Sequence, residues 1–89
     1  MPIKDLRIRA LKEIAAHYER PVECMPEMKP KKQGRCSGPL EIDHRYGGGK
    51  RDAGVKMYRA IVDQTRDLNY FRVLCRKHNR QRINDFGED

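Results

Sequence analysis

The sequence predicts a small α+β domain in which one long helix and two short strands are stapled together by a metal. Three observations point there. The N-terminal segment carries apolar residues at three- and four-residue intervals with no Pro or Gly inside it. Two short apolar runs, Leu40 to Asp43 and Tyr70 to Leu74, have the length of strands and are separated by a helical pattern. The chain has only 89 residues, a length at which a core is thin and a metal, a disulfide or a partner commonly completes the fold.

The first helix is expected over Ile3 to Arg20. Leu6, Ala10, Leu11, Ile14, Ala15 and Tyr18 form its apolar stripe, and Pro21 stops it. His17 lies near the stripe and reads as a packed or surface histidine rather than a ligand. From Pro21 to Pro39, four prolines, two glycines and a lysine run imply irregular structure. A loop of that length in a compact domain needs an anchor at each end, and Cys24 and Cys36 are placed to be those anchors. Leu40 to Asp43 is the first strand, followed by the Gly47-Gly48-Gly49 turn. Val55 to Thr65 is helical, with Met57, Tyr58, Ile61 and Val62 on one side. Tyr70 to Leu74 is the second strand, and Arg76 to Phe86 a basic last helix before an acidic tail. No repeat or low-complexity tract is present. The reading is one domain over 1–89: a helix at 1–20, a metal-anchored loop at 21–39 and a core at 40–86.

Charge narrows the function. Lys and Arg number 20 against 13 Asp and Glu, a net charge of +7. Between Lys29 and Arg51, seven basic residues face only Glu41 and Asp43. Such a field favours a polyanion, with phosphate contacts that weaken as salt rises. Lys50, Arg51, Lys77, Arg80 and Arg82 are the candidate phosphate contacts. The alternative is that these charges merely keep the chain soluble. An odd number of cysteines argues against a disulfide framework. With no apolar leader and no run near the roughly 20 residues that span a bilayer, a cytoplasmic, reduced protein without a membrane partner is expected.

Two constellations carry chemistry. Cys75 and His78 have the close spacing of half a zinc site, and with Cys24 and Cys36 they make a Cys3His set with no spare thiol. Free buried thiols and idle loop cysteines are the alternatives. Asp43 and His44 adjoin a glycine-rich bend. His44 can take a proton from water near neutral pH. Asp43, with Asn79, offers hard oxygen ligands for Mg2+ or Mn2+ at a phosphodiester. Adjacent strand residues face opposite sides, so both reach one centre only where the strand ends or bends.

Taken in order, these segments resemble the HNH endonucleases of phage and restriction systems, members of the ββα-metal (His-Me finger) group. The similarity spans roughly residues 36 to 82: Leu40-Glu41-Ile42-Asp43-His44 and the three glycines, then Gly54 and Tyr58-Arg59, then Val73-Leu74-Cys75 with His78-Asn79. The resemblance implies a ββα-metal core and DNA cleavage, with His44 as general base and Asp43 and Asn79 on a catalytic divalent ion. It further implies duplex DNA as substrate, phage packaging or restriction proteins as partners, and the cytoplasm of a bacterial host as location. The sequence departs from the family pattern in having His78 where a cysteine is usual, and in the wide spacing of Cys24 and Cys36. Asn69 stands one position from the usual middle Asn, where Tyr70 lies. The reading from a different class is a non-catalytic, zinc-stabilised nucleic-acid-binding module; a purely structural adaptor is a third.

Overall fold

The computed structural model describes residues 2–25, 35–46 and 53–80. In chain order its elements are α1 (Ile3–His17), β1 (Leu40–His44), α2 (Gly54–Val62), a 3-10 turn (Leu68–Tyr70), β2 (Phe71–Cys75) and α3 (Arg76–Asn79). The protein is therefore a small α+β fold around a two-stranded antiparallel sheet.

Helix α1 buries Leu6, Ala10, Leu11, Ile14 and Ala15, the stripe that its periodicity marks out. It ends three residues before the expected Arg20. Glu19 takes a left-handed φ of 56°, its N–H donates to the Ala16 carbonyl, and the Arg20 N–H returns to the Ala15 carbonyl. That pair of reversed bonds closes the helix as a Schellman motif, with Glu in a position that normally falls to Gly. Helix α2 ends in the same way. Gln64 has φ 59°, and the N–H groups of Gln64 and Thr65 return to the carbonyls of Ile61 and Ala60. The expected helix to Thr65 is thus cut at Val62, because side-chain periodicity carries no signal for a left-handed Glu or Gln.

The strands pair with Leu40 opposite Cys75, Ile42 opposite Val73 and His44 opposite Phe71. Alternation assigns these residues to one face and Glu41, Asp43, Arg72 and Leu74 to the other. The first face receives the helices. Ala10, Leu11, Ile14, Ala15, Met57, Ile61, Phe71, Val73 and Met25 form one buried cluster, with Leu40 and Ile42 packed against it. All five residues of β2 are buried, so it is the central element. Its second edge is occupied as well: the Met25 N–H donates to the Val73 carbonyl at 2.8 Å, and Tyr18 Oη donates to the Phe71 carbonyl at 2.5 Å. No helix among the described residues is long and apolar enough to cross a membrane.

Two sequence expectations meet the limits of the described residues. The last helix was expected to reach Phe86; α3 covers Arg76–Asn79 with Arg80 as the turn after it, and 81–86 lie outside. Gly47–Gly49, Lys50, Arg51 and Arg82 lie outside the described residues too.

Candidate metal centre and the polar face of the hairpin

The C-terminal end of β2 passes directly into α3, and Cys75 caps that helix. Its Sγ accepts from the His78 N–H at 3.5 Å and from the Ser37 N–H at 3.4 Å. The loop before β1 is held against the same turn, since the N–H groups of Arg76 and Lys77 donate to the carbonyls of Pro39 and Ser37 at 2.9 and 3.1 Å. Gly38 makes this approach feasible. It has φ 87°, and a Cβ there would stand 2.9 Å from Cβ of Arg76, so any other residue would be strained and crowded. On the other side, the Cys75 N–H donates to Cys24 Sγ at 3.1 Å.

These contacts bring Cys24, Cys36, Cys75 and His78 together, with all four ligand atoms within 4.8 Å of one another. His78 Nδ1 lies 3.2 Å from Cys75 Sγ, 3.5 Å from Cys24 Sγ and 3.7 Å from Cys36 Sγ. Tetrahedral zinc, with metal–sulfur and metal–nitrogen bonds of about 2.3 and 2.0–2.1 Å, sets its sulfur and nitrogen ligands about 3.6 Å apart. The quartet therefore has the donors and the spacing to hold a metal ion such as zinc. Cys24 belongs to the cluster, and His17, expected to be no ligand, bonds to Asn69 Oδ1 at 2.8 Å.

The two inner thiols differ in acidity. Burial pushes Cys24 up to about 12 despite the Cys75 N–H that donates to it. Burial acts in the same direction on Cys75, but the N–H donors of His78 and Ser37, the Cys24 thiol and the charge of His78 outweigh it and bring the group down to about 7. A metal arriving at neutral pH would meet a partly ionised Cys75 and displace a proton from Cys24.

The polar face of the hairpin is organised by two carboxylates. Glu41 Oε1 accepts from Asn79 Nδ2 at 2.8 Å, while Oε2 accepts from Arg76 Nε at 3.1 Å and lies 3.7 Å from Arg80. Burial alone would raise the Glu41 carboxyl; the Asn79 amide and the two arginines bring it below its ordinary value. Two residues along, Asp43 Oδ2 accepts from Nε of the fully buried Arg72 at 2.6 Å. Asn79, bonded to Glu41, therefore lies over the face that also carries Asp43.

His44 is placed differently. It is the last residue of β1, in register with Phe71, and its ring meets the Phe71 ring edge-on at 5.2 Å. Alternation assigns Asp43 and His44 to opposite faces, and β1 ends at His44, which is the condition under which both could reach one centre. A centre served by both must sit at the end of the strand. Lys77 on α3 and Arg80 just after it are exposed, and Arg80 is engaged with Glu41.

Glu41 and Arg72 are the participants that sequence reasoning missed. Period-two alternation from Asp43 could have found Glu41, and a lone arginine in the apolar Phe71–Cys75 run marks Arg72 as a residue needing a carboxylate partner. In comparisons with known proteins, no family model, no curated protein and no solved structure matches this chain.

Proposed function

We propose that the protein is a metal-dependent endonuclease of the ββα-metal kind, hydrolysing phosphodiester bonds in DNA, with a structural zinc on Cys24, Cys36, Cys75 and His78. One observation carries the reading. The Cys3His cluster clamps the first turn of α3 to the hairpin, and that places Asn79 over the strand face bearing Asp43. In this reading β1, β2 and α3 would supply the strands and helix of a ββα-metal core, with α2 inserted between the strands.

Asp43 and Asn79 supply hard oxygen donors that suit Mg2+ or Mn2+. Arg72 already holds Asp43, so a cation there would share that carboxylate with the guanidinium. Such an ion would neutralise charge developing on the phosphate and its leaving oxygen. Glu41 holds the Asn79 amide in place. His44, at the strand terminus, takes the proton of the attacking water as general base. Lys77 and Arg80, together with Lys50, Arg51 and Arg82, would contact the substrate backbone.

A second reading has its own observation. The Asp43–Arg72 pair and the His44–Phe71 contact give both residues structural roles, as a zinc-stabilised binding module without chemistry would require. Plasmid incubation with Mg2+, Mn2+ or EDTA separates the two. The endonuclease nicks or cuts with either ion and not with EDTA, and His44→Ala nearly abolishes cleavage while retaining zinc and a cooperative melt. Equal rates for His44→Ala and wild type, in protein free of contaminating nuclease, would establish the binding module instead.

A further inference from the structure

Tyr46 follows β1 and Tyr70 precedes β2, so the two flank the same end of the hairpin, beside His44. Their rings lie 5.5 Å apart at 81°. They are 42% and 52% exposed, whereas Tyr18, Tyr58 and Phe71, the other described Tyr and Phe residues, are half-buried or buried. Here two large apolar rings meet as an open corner.

The corner is fixed from behind. The Arg45 N–H donates to the Tyr70 carbonyl at 2.9 Å, extending the ladder beyond His44 and Phe71. The Arg45 side chain donates to the Asn69 carbonyl at 3.3 Å, and its guanidinium lies 5.3 Å from the centre of the Tyr46 ring. Asn69 is held in turn by His17 and, through its N–H, by Asp67. Tyr70 therefore sits on backbone bonded to Arg45, and Tyr46 is joined to the same corner by the Arg45 guanidinium.

Two rings at right angles with a guanidinium alongside offer a face for a planar heterocycle, an edge contact beside it, and a cation for the attached phosphate. The net charge of +7 favours a polyanion over an apolar peptide. Within a duplex the base faces are already stacked on their neighbours, so only an unpaired base can enter. We infer that the Tyr46–Tyr70 corner binds an unpaired nucleobase, making single-stranded or flap-bearing nucleic acid the preferred ligand over uninterrupted duplex. The inference rests on the reading that the ligand is a nucleic acid, and it does not require cleavage.

The test uses zinc-loaded full-length protein and fluorescence anisotropy with four dye-labelled probes: a single strand, its duplex, the duplex with an unpaired flap, and the same flap made abasic. Wild type should prefer the single strand and the flap over duplex by about tenfold, and lose that preference on the abasic flap, as the contribution of one stacked base implies. Tyr70→Leu and Tyr46→Leu, which keep apolar volume but remove the π face, should lose most of the preference and leave duplex affinity unchanged. The Phe variants should retain it, which separates stacking from folding or hydroxyl effects. Leu variants that bind like wild type, or Phe variants that fail as the Leu variants do, overturn the stacking corner while nucleic-acid binding stands. Tyrosine-dependent binding without cleavage supports the corner and removes the nuclease reading. Failure of every probe to bind wild type overturns both.

Discussion

Replacing Cys75 by Ser should leave the chain unfolded, and the magnitude follows from how little else holds it. Among the described residues the buried apolar set amounts to twelve, three of them alanine or cysteine. A core of that size in a domain of this length supplies a net stability of only about 3–5 kcal/mol. A structural zinc contributes on the order of 10–16 kcal/mol in apparent binding free energy at neutral pH, which exceeds that margin. Cys75 is also the ligand with most to lose. It is 2% exposed, accepts two backbone N–H groups and caps α3. The assay combines metal content with far-ultraviolet circular dichroism and thermal melting. Purified wild type should carry one zinc per chain, and EDTA should collapse its helical signal as Cys75→Ser does. A metal-free wild type with a cooperative melt, or a Cys75→Ser variant that melts with it, would refute the reasoning.

Zinc affinity should rise with pH, because near neutrality Cys24, raised to about 12, gives up a whole proton on binding and Cys75, at about 7, gives up part of one. Competition with a chromophoric chelator at two pH values one unit apart should show a gain of at least about tenfold, and a flat profile would contradict it. Asp43→Ala should cost roughly 3 kcal/mol of stability by removing the carboxylate that pairs with the buried Arg72 guanidinium, and an added Arg72→Met should recover part of that loss in chemical denaturation. Glu19→Gly should stabilise the zinc-loaded protein by up to about 1 kcal/mol, since glycine accepts the left-handed backbone without steric penalty; an unchanged denaturation midpoint would argue against that geometry.

Local chemistry determined much of what was legible in the sequence. The α1 stripe, the two strands and the capping turn at Cys75 depend on residues close along the chain, where periodicity and spacing report directly on structure. Leu6, Ala10, Leu11 and Ile14 are buried as their spacing requires, and Cys75 and His78 meet because one helical turn joins them. The exceptions were the helix ends, where Glu19 and Gln64 adopt a backbone usually left to glycine, and the second strand, expected over Tyr70 to Leu74, which runs Phe71–Cys75 because Tyr70 closes a 3-10 turn.

Only the tertiary structure decided the rest, because it depends on where separate segments meet. Cys24 and Cys36 reach Cys75 through backbone bonds to β2 and α3, with Gly38 admitting the close approach. Their spacing does not specify that convergence. Strand register assigned Asp43 to Arg72 and His44 to Phe71, sending two adjacent residues to opposite faces. Glu41 gained its role from Asn79 and Arg76, more than thirty residues away along the chain. Composition supplies the donors and charges, but their partners are set by burial and register, since an ionic group moved out of water must find its counterpart on whichever element packs against it.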